Sequence, residues 1–165
     1  MSSAVDMAEG HVRICGGPDS NSGMGHVVRA SAGNGEMEVA ATTLDLLARA
    51  YGPPSFVWMD IEGFELNALK GGREVLSRDR PPVFCEVNRA HLERAGGSIE
   101  ELVALFRELG YRFFDASDWR LGPVDVDAMP VGAYHANWLI VPKERVELVS
   151  DIRPSFIVRR FLPRF

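Results

Sequence analysis

Residues Phe56 to Gly72 read FVWMDIEGFELNALKGG. Four successive apolar residues run straight into Asp60-Ile61-Glu62-Gly63, and a helix-like spacing of leucines follows. A continuous apolar run predicts a strand covered on both faces, as in a parallel sheet. The carboxylates at its end then mark the point where the strand surfaces. In open α/β sheets, ligands bind outside the carboxyl ends of the strands, where water or ligand can reach a charge. Glu65 to Leu76 reads as one helix with Leu66, Leu69, Val75 and Leu76 inward. Gly71-Gly72 weakens it by roughly 1 kcal/mol per glycine relative to alanine.

Working outward, Pro81-Pro82 leads into VFCEV, a second apolar run that ends at a carboxylate, Glu86. Asp60, Glu62 and Glu86 are thus candidates for one crest at the sheet edge, with Gly63 permitting a sharp turn and keeping the crest open. Such a cluster suits a general base, a site for a cationic group, or a hard metal ion held through oxygen. Spacing alone does not choose among these. The structural alternative is that Asp60 or Glu62 caps the following helix, where negative charge is favoured, and that Glu86 pairs with Arg89 or Arg94.

Further along, Ser98-Ile99-Glu100-Glu101 forms a capping box, and Gly110 closes the helix that it opens. Ile99, Leu102, Val103, Phe106 and Leu109 fall on one face of it. YRFFDAS and HANWLIVP follow as strands without a helix between them, which predicts an antiparallel pair. Upstream, MEVAA is strand-like, and Thr42 or Thr43 caps a short helix, LDLLARAYG, that Gly52-Pro53-Pro54 stops. Residues 1–10 read as a loose end. Val12–Cys15 and HVVRA read as short strands among the turn-rich GGPDSNSGMG and SAGNGE. From Val39 the order is strand, helix, strand, helix, strand, helix, strand, strand: an α/β sheet with an antiparallel pair at its C-terminal end.

The totals narrow the function classes. The chain has 165 residues, enough for one domain with a core. Its formal net charge of −5 argues against a generic nucleic-acid binder, which needs a basic face. Two cysteines, Cys15 and Cys85, sit in strand-like runs with no zinc-ligand spacing, and read as reduced, buried thiols. Neither a secretory signal nor a membrane-length apolar run is present, so a soluble cytoplasmic protein is the expectation.

TTLDLL, FVWMDIEGFELNALKGG, RPPVFCEVN and a helix ending LGYRFF together resemble the FkbM family of S-adenosylmethionine-dependent methyltransferases. Thr43, Leu44, Asp45, Asp60, Glu62, Gly63, Glu65, Leu69, Lys70, Gly71, Arg80, Pro81 and Glu86 fit the family order, and Asn137-Trp138-Leu139-Ile140 resembles its last strand. The match runs over residues 37–142. The resemblance implies a Rossmann-like class I methyltransferase fold, S-adenosylmethionine as cofactor and a small-molecule hydroxyl, of a sugar or natural product, as acceptor. By position it implies that Asp60 and Gly63 lie at the cofactor, that Asp60, Glu62 and Glu86 are the catalytic carboxylates, and that Asn88 and His91 meet the acceptor.

One departure stands out. The glycine-rich strand–loop–helix that opens such folds is not found; GGPDSNSGMG follows a strand-like VRIC but no helix follows it. The chain is therefore read as a glycine-rich segment (1–36), the C-terminal part of the methyltransferase domain (37–145) with the cofactor-binding half truncated, and a basic-aromatic tail (146–165). That leaves an apolar edge at FVWMD. Residues 11–30, the tail, a second copy of the chain in a homodimer, or a complementing chain are its candidate covers; a membrane is disfavoured. Two other readings stand beside the enzyme: a non-catalytic interaction module of the same fold, and a metal-dependent hydrolase built on Asp60, Glu62 and Glu86. The last is least favoured, because no histidine lies at ligand spacing beside those carboxylates, and the site is expected to hold no metal.

Overall fold

The structure of the protein, a computed structural model, describes residues 3–15, 26–29, 37–118 and 120–152. In chain order the elements are β1 (Ala4–Val5), β2 (Gly10–Cys15), β3 (His26–Arg29), β4 (Met37–Thr42), α1 (Leu44–Tyr51), β5 (Val57–Met59), α2 (Glu65–Lys70) and α3 (Arg73–Arg78). There follow β6 (Val83–Asn88), α4 (Arg89–Arg94), α5 (Ile99–Glu108), β7 (Tyr111–Asp115), β8 (Gly122–Pro123) and β9 (His135–Pro142). Residues 147–152 are helical.

Two sheets result. The larger has the order β5-β6-β9-β7-β8. β5 and β6 are parallel, whereas β9 runs antiparallel to both of its neighbours, β6 and β7. The α/β reading and the expected antiparallel pair are therefore present. The smaller sheet, β1-β4-β2-β3, contains β4. The Met37–Thr42 strand thus does not open the larger sheet, as its place in the chain suggests, but joins the N-terminal strands. Residues 1–10 are also no loose end where they are described: β1 pairs in parallel with β4, and Asp6 is buried beside Gly71.

One face of the larger sheet carries the main core. Val57, Met59, Val83, Cys85, Trp138 and Ile140 pack there under α2, α3 and α5, with Leu66, Leu69, Leu76, Leu102 and Phe106 all essentially inaccessible. An aromatic chain, Phe106 to Phe113 to Trp138 to Tyr134, runs through it, and Trp138 donates its indole N–H to the Tyr134 hydroxyl at 2.9 Å. The opposite face is covered only in part. Val146, Val149 and Ile152 lie on Phe114, Leu139 and Val141 at the β7–β9 end. At the β5 end Trp58 is 71% exposed, stacked on Phe84. The prediction of a strand covered on both faces is thus corrected. β5 alternates buried, exposed, buried, because no helix of the described residues lies over its second face. Nothing described pairs with its free edge, and the described start of the tail lies at the other end of the sheet.

The helix expected over 65–76 is broken at Gly71-Gly72. A side chain on Gly71 would overlap the Asp6 carbonyl, and one on Gly72 would reach Leu44 Cδ2 at 2.5 Å. The glycines therefore admit close packing by Asp6-Met7, just after β1, and by α1, and the helix restarts as α3. All four residues predicted inward, Leu66, Leu69, Val75 and Leu76, are buried. Ser98 caps α5 by accepting from the Glu101 N–H at 3.1 Å, and Thr43 caps α1 by accepting from the Leu46 N–H at 3.1 Å. Cys85 is a buried free thiol whose pKa burial pushes up; the side chain of Cys15 and the GGPDSNSGMG and SAGNGE stretches lie outside the described residues.

Candidate functional site

The parallel pair β5–β6 sends its carboxyl ends to one crest. Asp60 follows β5 directly and is exposed. The chain then turns through Ile61, Glu62 and Gly63 into α2. Glu62 adopts φ 56° and Gly63 φ 103°, left-handed conformations that only glycine adopts cheaply. Gly63 makes the turn expected of it, but it does not leave the crest open. A Cβ there would overlap the His91 backbone carbonyl, so the turn is packed against α4. Arg94 fixes it further by donating to the Glu62 carbonyl at 2.9 Å.

Neither carboxylate caps α2. Its N-terminus has no side-chain cap, and it is Glu65 that reaches back, accepting from the Ile61 N–H at 2.9 Å. Glu65 is almost wholly inaccessible. Burial pushes its carboxyl up to about 6, opposed by the Ile61 hydrogen bond and aided by the nearby Glu86 charge.

Glu86 lies on the partly open face of β6, and both its oxygens meet imidazoles. Oε1 is 2.8 Å from His135 Nε2. Oε2 is 3.4 Å from His91 Nδ1, which is itself 3.1 Å from Glu62 Oε2. The expected arginine partners are elsewhere: Arg89 binds Glu100, and Arg94 holds the Glu62 backbone. One ligand atom each from Glu62, Glu86 and His91 lie within 4.8 Å of one another, and the same holds for Asp60, Glu65 and Glu86. Glu86 belongs to both groups. Asn88 stands at the head of α4 and accepts from the His91 N–H at 3.4 Å, so it positions the helix that carries His91.

The structure thus gathers Asp60, Glu62, Glu86 and His91 and puts Gly63 and Asn88 in supporting places. It adds Glu65, which the sequence places in the family motif without a site role, and His135, which the sequence reading does not single out. His135 pairs in register with Asn88, and strand alternation puts it on the face of Glu86. The antiparallel pairing of the family-like last strand was the signal that could have found it.

Beside this crest lies an apolar cleft of about 520 Å³ between β5 and the small sheet, walled by Val5, Ile14, Leu44, Trp58, Ile61 and Phe64. Among the described residues, Asp60 is the one ionisable side chain on its wall. Among the described residues, no helix is long and apolar enough to cross a membrane.

The family model for the methyltransferase FkbM domain matches residues 6–113. The chain belongs to that family. The matched region begins well before the TTLDLL motif and takes in β2, β3 and β4 of the small sheet. No curated protein and no solved structure matches the chain.

Proposed function

We propose that this domain transfers a methyl group from S-adenosylmethionine to a hydroxyl of a small molecule, a sugar or natural product. The observation that carries this reading is the double membership of Asp60. It stands on the wall of the apolar cleft and also in the carboxylate group with Glu65 and Glu86.

The cleft suits the cofactor. Its volume lies within the range of small-molecule sites, about 300–1,000 Å³. Its apolar walls match the flat ring of a nucleoside, and Asp60 offers an acceptor for a ribose hydroxyl or an ammonium. When bound, the cofactor supplies an electrophilic methyl group on a sulfonium. The chain supplies the rest. Trp58, Ile61 and Phe64 give the cleft an apolar wall from which the ligand displaces water. Asp60, free of any ion pair with a cation among the described residues and open to solvent, takes the proton that the acceptor hydroxyl loses. Glu65 and Glu86 stand behind it in the same carboxylate group. The Glu62–Gly63 turn, pinned by His91 and Arg94, keeps the crest in place before ligand arrives.

Calorimetric titration with S-adenosylhomocysteine tests the reading. Micromolar binding, weakened about tenfold by Asp60→Ala, is expected. A folded chain that does not bind at millimolar ligand overturns it and leaves the interaction-module reading, which the open edge of β5 favours.

A further inference from the structure

We propose that Glu62, Glu86 and His91 form a site for a divalent cation of the zinc or manganese kind, with His135 as its outer support. Each of the three offers one ligand atom, and these atoms lie within 4.8 Å of one another. His91 Nδ1 stands 3.1 Å from one carboxylate oxygen and 3.4 Å from the other. Both are hydrogen-bond distances, yet Nδ1 and Glu86 Oε2 are buried atoms without a hydrogen-bond partner.

A cation resolves that arrangement. Metal–nitrogen and metal–oxygen bonds of about 2.1 Å at tetrahedral or octahedral angles put neighbouring ligand atoms about 3.0–3.4 Å apart. The two distances from His91 Nδ1 to the carboxylate oxygens, 3.1 and 3.4 Å, fall in that range. Without a cation, His91 Nδ1 and Glu86 Oε2 forfeit the compensation that buried polar atoms ordinarily find. One imidazole with two carboxylates suits the borderline divalent ions better than magnesium or calcium, which favour all-oxygen shells.

The surroundings are those of a metal shell. His135 Nε2 at 2.8 Å from Glu86 Oε1 orients the carboxylate from behind, as outer partners of ligands do. The close contact of Gly63 with His91 ties the loop of one ligand to the helix of another. Cation binding does not depend on the methyl-transfer reading. What rests on that reading is its use: an ion here stands within reach of the Asp60–Glu86 crest and would hold the acceptor hydroxyl and ease loss of its proton.

The test is a Co²⁺ titration of the full chain after chelator treatment and dialysis, without S-adenosylmethionine, read by visible d–d absorption and followed by Zn²⁺ displacement. Saturation at one equivalent and reversal by Zn²⁺ are expected. Glu86→Gln and His91→Ala should each weaken binding by about tenfold or more, and His135→Ala by about tenfold. Glu62→Gln, at a half-buried surface position, repeats the test where folding is not at stake. Absence of a spectrum from the folded protein, or an unchanged midpoint in His91→Ala and Glu62→Gln, overturns the proposal. Cofactor affinity is measured separately, so failure of either reading is visible without the other.

Discussion

Asp45 Oδ1 accepts from the backbone N–H of Val75 at 2.9 Å, and its Oδ2 from that of Glu74 at 3.2 Å. These are the second and third residues of α3, the N–H groups that a capping side chain usually satisfies. Gly72, at the cap position, has no side chain to do it, and Leu44 occupies the space where one would stand. The Thr-Leu-Asp and Lys-Gly-Gly motifs are therefore one interlocking device: Thr43 caps α1, Leu44 fills Gly72, and Asp45 caps α3 from a distance. Asp45→Ala should cost about 1–2 kcal/mol in urea unfolding, and Asp45→Asn, which keeps one acceptor, about half of that. A loss under 0.3 kcal/mol for the alanine would show that water replaces the carboxylate, on the order of the scatter of surface substitutions.

The Gly63 contact separates two effects that usually travel together. Gly63 and Gly96 both have positive φ, 103° and 80°, but a Cβ on Gly96 meets nothing within 4 Å whereas one on Gly63 meets His91 backbone. Gly96→Ala should cost about 1 kcal/mol, the backbone term alone. Gly63→Ala should cost about 3 kcal/mol, since the α4 backbone must also move. Equal costs would mean that the α4 contact yields freely.

A pH signature should come from Arg80 and Glu144. The Arg80 guanidinium binds Glu144, donates to the Leu109 carbonyl at 2.7 Å and stands over the Tyr111 ring. The hydrogen bond from Arg80 is the main cause that holds the Glu144 carboxyl down to about 2, against an ordinary 4.5. The folded value lies below the unfolded one, so the stabilisation is present above pH 4.5 and lost as pH falls from there through about 2. Glu144 is half-exposed, and salt should screen the pair. Glu144→Gln should lower Tm slightly at neutral pH, and the gap to wild type should close on acidification and shrink with added salt. A gap constant across pH would assign the loss to packing instead.

Much of this architecture is legible because it is local. The Ser98 and Thr43 caps, the inward leucines and the strand runs follow from spacing within a dozen residues. What escapes is what depends on approach between distant segments. Gly71-Gly72 read as a weak spot in one helix, yet the glycines are there because Asp6 and Leu44 come close. Asp60, Glu62 and Glu86 were visible as strand-end carboxylates. His135 and the orientation of His91 were not, because the antiparallel return of β9 and the short α4 bring them in from outside any sequence window. Trp58 read as core since a run of four apolar residues says nothing about which face stays uncovered.

That uncovered Trp58 offers the last prediction. It lines the cleft beside Asp60 and is exposed, whereas Trp138 is wholly buried on the other face of the sheet. A ligand with a flat ring entering the cleft must displace water from the Trp58 indole, while Trp138 keeps its Tyr134 partner throughout. Addition of S-adenosylhomocysteine should therefore quench or shift the tryptophan emission. Trp58→Phe should abolish most of that change while weakening affinity only a few-fold, since a phenylalanine still offers an apolar ring. Trp58→Lys should weaken affinity by more, because a solvated cation then competes for Asp60. Emission that responds to ligand as strongly in Trp58→Phe as in wild type would put the ligand elsewhere and remove the cleft from the methyl-transfer site.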